Sequence, residues 1–196
     1  MVRALIFISL LTSQNVYGLS FENEFVKSAI ERTRFSVRYD GSYYSIGYPN
    51  GDIPENIGVC TDVVIRAYRK IGTDLQKLVH EDMAANFDAY PSKRIWGLNK
   101  PDKNIDHRRV PNLQSFFSRH GEVLRVSSSA GDYKPSNLVT WMLPGNLPHI
   151  GIVTGLVSKK TGNPLIVHNI GNGPQLEDIL FKYKITGHYK YVQKKI

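Results

Sequence analysis

The sequence predicts an α+β domain with helices first and a mainly antiparallel sheet second. Apolar residues recur at helical spacing in four segments before Gly121, and short β-branched or aromatic runs split by Gly, Pro and Asn fill the rest of the chain. Hydrophobic residues make up 41% and charged residues 21%, with no low-complexity tract, repeat or heptad run, so the chain has the composition of a folded globule.

Phe21, Phe25, Val26 and Ile30 mark a first helix over Phe21 to Arg34. The stretch YDGSYYSIGYPNGDIPENIG, Tyr39 to Gly58, has turn and loop chemistry instead. A second helix opens at Cys60, since Cys60, Val63, Val64, Ala67 and Ile71 share one face. Arg66, Arg69 and Lys70 crowd its C-terminal end and Gly72 stops it. Asp74 to Phe87 reads as a third helix, and Pro111 to Gly121, with a proline start and a glycine stop, as a fourth. The segment between those two reads as a long loop, a length that often signals function. His107, Arg108 and Arg109 within it are candidates for gripping a substrate carboxylate, because guanidinium groups bind carboxylates bidentately; a solvated basic turn is the alternative. Strands are expected over Glu122 to Val126, Asn137 to Leu143, His149 to Val157, Leu165 to Asn169, Asp178 to Ile185 and His188 to Val192.

The first eighteen residues, MVRALIFISLLTSQNVYG, place Arg3 before the apolar run Ala4 to Leu11, with small-residue cleavage spacing at Val16 and Gly18. This is the pattern of a signal peptide, and the run is only about half the twenty apolar residues a membrane span requires. The expected mature chain, 19–196, suits a single domain that is soluble and periplasmic or secreted. The full chain carries a net charge of +8, and loss of Arg3 leaves +7. Such a balance favours anionic partners such as cell-wall polymer, anionic lipid or nucleic acid, but the basic residues are scattered and nothing resembles a nucleic-acid module, which favours a solvated surface.

Export makes the single cysteine informative. One cysteine cannot form an internal disulfide, so Cys60 is a reactive thiol, half of an intermolecular bridge, or a buried bystander. At a helix start, unpaired N–H groups and the positive end of the macrodipole favour thiolate. Its place in the apolar register fits the bystander reading equally well. A nucleophilic cysteine needs a base and a group to orient that base. His149 begins HIGIVTGLV and His168 ends LIVHNIG, on what should be neighbouring strands, whereas His80 and His120 lie on helices as surface or packing residues. Cys60, His149 and His168 are also ligand types that suit zinc, yet no CxxC, HxxxH or HExxH spacing supports a metal site.

A cysteine opening a helix, then HIGIV, then an apolar strand ending in VH resembles the NlpC-type papain-like cell-wall peptidases. The pieces YPNGDIP, GVCTDVVIRAYR, LVHEDM, NIDHRRVPNLQSFF, LPHIGIV, HNIG and ITGHYKY resemble more closely a bacterial family catalogued as domain of unknown function 1287. This resemblance implies a papain-like fold with Cys60 as nucleophile, His149 as general base and His168 as orienting residue. It also implies an upstream tyrosine in the site, for which Tyr48 is the candidate. Where relatives carry Pro-Gly-Asp before the strand leading to the base, this chain has Pro135, Ser136 and Asn137, and the stretch 73–135 is longer than a minimal cell-wall peptidase requires. The activity so implied is hydrolysis of an amide bond, foremost in peptidoglycan stem peptides, without metal or organic cofactor. A non-catalytic wall-binding domain and an acyltransferase built on the same thioester are the alternatives.

Overall fold

A computed structural model describes residues 21–193, so the expected signal peptide at 1–18 lies outside the described residues. The first described helix, α1, covers residues 21–32, and its Phe25 ring stacks on Tyr68 at 4.1 Å between centroids. Helix α2, Cys60–Lys70, is buried from Cys60 through Tyr68 and ends at Gly72, whose φ of +85° is the left-handed conformation glycine adopts without steric cost. Helix α3 is Leu75–Ala85, with Asp74 as N-cap accepting the Lys77 N–H at 3.2 Å. The expected loop after it contains a short helix, α4, at Ser92–Trp96 and a 3-10 turn at Asp106–Arg108. Both are too short for a 3.6-residue period to show in sequence. Helix α5, Val110–His120, has Pro111 in its first turn, as expected.

The chain first pairs β1 (Arg38–Tyr39) with β2 (Ile57–Gly58), a short parallel bridge closing the loop between them. The main sheet contains β3 (Glu122–Val123), β4 (Leu138–Leu143), β5 (Leu147–Val157), β6 (Pro164–His168), β7 (Gln175–Glu177) and β8 (Lys184–Lys190). Its order is β3-β8-β4-β5-β6-β7 and every neighbouring pair is antiparallel. Leu138, Ile150, Ile152 and Val167 face the helices, whereas Val139, Trp141, Val153 and Ile166 form a second buried cluster with Tyr133, Ile179 and Leu180. Burial on both faces explains why β4 and β5 read as nearly continuous apolar runs.

Two strand expectations change. Asp178–Ile185 is largely a turn, because Ile179 and Leu180 are apolar to cover the second face of the sheet, not to continue a strand. Ile185 and His188 instead belong to the single strand β8. At Gly187, which sits between them, a Cβ would come within 2.3 Å of the Tyr189 hydroxyl. Strand β7 was hidden by its three-residue length and its Gly-Pro approach.

Basic side chains hold the Gly- and Pro-rich loop onto α2. Arg66 donates to both oxygens of Asp52, at 3.0 and 3.2 Å, and to the carbonyls of Ile53, Pro54, Glu55 and Ile57. Arg108 donates Nε and Nη2 to the two oxygens of Asp62 at 2.9 and 3.1 Å, and reaches the Asp40 and Ser42 carbonyls as well. The Arg108 and Asp62 side chains are only 3% and 4% exposed. Removing one partner of such a pair strands a buried charge. Arg108→Ala is expected to lower the unfolding free energy by about 3–5 kcal/mol, read from urea denaturation, and Asp62→Asn combined with Arg108→Met should lose less than the two single changes added together.

The Pro135-Ser136-Asn137 departure has a local consequence. Ser136 takes a φ of +72°, a left-handed conformation that favours glycine, and its hydroxyl is buried without a hydrogen-bond partner. Ser136→Gly relieves both penalties against a smaller loss of chain entropy, so it should raise the unfolding free energy by about 1 kcal/mol in the same denaturation assay.

Candidate active site

The start of α2 is fixed from three directions. Asp62 accepts the Val59 N–H at 2.7 Å, Arg108 holds the other side of that carboxylate, and the Asn169 amide donates to the Gly58 carbonyl at 3.3 Å. Cys60 is thereby only 4% exposed, with the N–H groups of Ile150, Thr61 and Cys60 itself directed at the sulfur. Burial pushes the thiol up to about 12 in spite of those donors, and the Asp62 carboxylate adds to the rise. The helix start therefore does not yield the resting thiolate that its dipole alone would favour, because removing sulfur from water outweighs the oriented N–H groups.

The imidazoles come from the neighbouring strands. His149 is paired across β4 with Trp141, and their ring centroids are 5.8 Å apart. Nε2 of His149 lies 3.3 Å from Nδ1 of His168, with the rings edge-on at 88°. Gly151 makes this approach possible: a Cβ there would stand 2.6 Å from Ile166, 3.0 Å from the Val167 carbonyl and 3.1 Å from the His168 Cβ. On its far side Nε2 of His168 is 2.9 Å from Oε2 of Glu177, an ion-pair contact and not an aligned hydrogen bond. Burial lowers His149 to about 3, helped by His168, and lowers His168 as well, against the opposing pull of Glu177.

Thiol and imidazoles thus approach from different layers. Cys60 belongs to the helix-side cluster, while the register places His149 and His168 on the face of Trp141 and Ile166. Ile150, next to His149 and beyond the last β5–β6 pair, is the sheet residue whose N–H acts on the sulfur. Among the described residues no hydrogen bond joins the sulfur to either ring.

The other expected site residues lie elsewhere. Arg108 is spent on Asp62, and Arg109 donates to Asp106 at 3.0 Å while stacking on Trp96 at 4.2 Å. His107 is 2% exposed and lowered to about 3 by burial, with Arg108, Arg69 and His80 adding to the shift. Their basic groups are committed to internal partners or buried. Tyr48 meets His80 edge-on at 5.1 Å, and burial, Glu81 and Asp74 raise its phenol, so it belongs to the α3 side. Tyr39 is the tyrosine near the thiol: it pairs with Gly58, and burial, followed by the Cys60 and Asp62 charges, pushes it up to about 12. Sequence reading passed over Tyr39, Asn169 and Glu177 because each reaches the site through pairing between distant segments. Among the described residues, no group of three or more His, Cys, Asp or Glu side chains is arranged to hold a metal ion, and no helix is long and apolar enough to cross a membrane.

The structure is an α+β domain that sets one buried thiol at a helix start and a histidine pair ending on a carboxylate in the sheet. The chain belongs to the family described as Domain of unknown function (DUF1287), which matches residues 26–191 and so includes every residue of this site. It is similar to the Uncharacterized protein YijF of Escherichia coli (strain K12), at 52% identity over 156 residues, covering 80% of this chain and 75% of that protein.

The protonation states fix a pH profile for stability. His149 and His107 fall from 6.5 to about 3 on folding, so the unfolded chain binds more protons below 6.5 and stability drains away as pH falls from there toward 3. Cys60 rises from 9.0 to about 12, so its contribution is complete below 9 and is lost as pH climbs toward 12. Thermal midpoints across pH should form a plateau between 6.5 and 9, with a shallower acid decline in His107→Gln and a shallower alkaline decline in Cys60→Ala.

Proposed function

We propose that this protein is an exported cysteine hydrolase of the NlpC-type papain-like class, cleaving an amide bond in peptidoglycan stem peptides. The reading rests on one juxtaposition: the N–H of Ile150, the residue beside His149, favours the thiolate of Cys60, and His149 in turn contacts His168 at 3.3 Å. Residues 1–18, read as a signal peptide, would carry the chain to the periplasm or beyond, where its positive balance suits an anionic wall polymer.

Thiol and imidazole are both neutral at rest, so proton transfer accompanies attack instead of preceding it. His149 draws the proton from Cys60 as the sulfur adds to the scissile carbonyl. The N–H groups of Cys60 and Thr61 at the helix start are the oxyanion donors in reach. The proton on His149 passes to the leaving amine, and water, deprotonated by the same ring, then releases the acyl group from sulfur. An amine or hydroxyl in place of water would make the same thioester an acyl-transfer intermediate.

Cys60→Ala and His149→Ala should each reduce release of new amino termini from purified peptidoglycan by on the order of a thousandfold or more, with the cleaved bond read by mass spectrometry. Unchanged release in both variants would remove the mechanism. The deep burial of Cys60 favours one second reading, a wall-binding domain without turnover. In that case wild-type protein binds peptidoglycan and releases nothing.

A further inference from the structure

We infer that Glu177 is the positioning residue of this site: from the edge of the sheet it sets the tautomers of His168 and His149 and so leaves the His149 lone pair on Nδ1, the nitrogen that the proposed mechanism needs as its base. This rests on the proposed thiol–imidazole chemistry but not on the identity of the substrate.

Glu177 lies on β7 opposite Ile166, and His168 is two residues along β6 on the same face, the diagonal arrangement that lets a long side chain reach across a strand pair. Its carboxylate stands 2.9 Å from Nε2 of His168. An ionised carboxylate can only accept, so the His168 proton belongs on Nε2. The reverse tautomer would bring a nitrogen lone pair against a carboxylate oxygen at that distance. With Nε2 protonated, Nδ1 of His168 carries a lone pair and must accept from His149, 3.3 Å away, which places the His149 proton on Nε2. Nδ1 of His149 is then the free basic nitrogen.

The same chain of contacts governs charge. As the sulfur attacks, the Cys60 proton moves to Nδ1 of His149, which becomes an imidazolium still donating its Nε2–H to Nδ1 of His168; Glu177 keeps its charge and takes no proton. The groups acting on His168 are Glu177 on β7 and His149 on β5, together with Lys182 in the turn before β8, which opposes protonation. Glu177 is the one carboxylate among them, and its side chain is 45% exposed, so its influence is partly screened by solvent and salt.

Cys60 is the sole cysteine, so alkylation of the full chain by iodoacetamide reports on it alone. Rates against pH for wild type, Glu177→Gln and Glu177→Asp test the inference. Losing the carboxylate disfavours imidazolium and hence the thiolate–imidazolium pair, while leaving direct ionisation of the thiol at alkaline pH unaffected. Glu177→Gln should therefore react about tenfold more slowly at pH 7, with the deficit closing at high pH, and Glu177→Asp should recover much of the rate. Equal rates in Glu177→Gln, or a loss uniform across pH, overturns the inference.

Imidazole ¹H–¹⁵N spectra give a second reading that needs no thiol reactivity. Wild-type His168 should be the Nε2–H tautomer, and its titration midpoint should fall in Glu177→Gln by roughly one unit or less. An Nδ1–H tautomer, or an unmoved midpoint, overturns the inference by itself. Wild-type protein that shows these shifts but cleaves no wall amide leaves the role of Glu177 standing and defeats the hydrolase reading instead.

Discussion

The buried pair of Asp62 and Arg108 is the interaction on which the rest of the architecture depends. Asp62 stands in the first turn of α2, where it caps the Val59 N–H on one side and receives a two-point grip from Arg108 on the other. Arg108 belongs to the short turn before α5, and its remaining donors reach the carbonyls of Asp40 and Ser42. One guanidinium therefore joins three stretches of chain and fixes the helix start that carries Cys60. Neither charge is affordable in the interior alone, since several kcal/mol of lost hydration per ion is recovered only when both are present and correctly forked.

A second constraint acts within the sheet. The missing side chain at Gly151 brings β6 close to β5, and that approach brings His168 within 3.3 Å of His149. The same dense packing leaves no solvent around the rings or the sulfur, so burial dominates their protonation. Oriented N–H groups at the helix start and Glu177 beyond His168 pull in the opposite direction. Burial thus favours the uncharged forms of the thiol and the two imidazoles, with fixed dipoles and one half-exposed carboxylate acting the other way.

Much of the helical layer was legible because α2, α3 and α5 each present an apolar stripe bounded by a local stop or cap, such as Gly72, Asp74 and Gly121. His149 and His168 were legible as partners because HIGIV and LIVH read as adjacent strands. The partner of Arg108 was not legible, since a basic turn looks the same on paper whether it faces solvent or a buried aspartate forty-six positions away. Tyr39 was not legible for a similar reason: it lies in the same loop-rich segment as Tyr48, and only the β1–β2 bridge brings it to Gly58.

By itself the sequence determined the helix that presents Cys60, the strands that present the two histidines and the α+β order of the domain, because periodicity, caps and turns are local properties of short segments. Tertiary structure alone decided which charges became buried partners, which tyrosine stands near the sulfur, that a carboxylate on the last edge strand meets His168, and that the thiol rests protonated. Each of these depends on pairing between distant segments or on exclusion of water, and neither is encoded within the span of a turn or a strand.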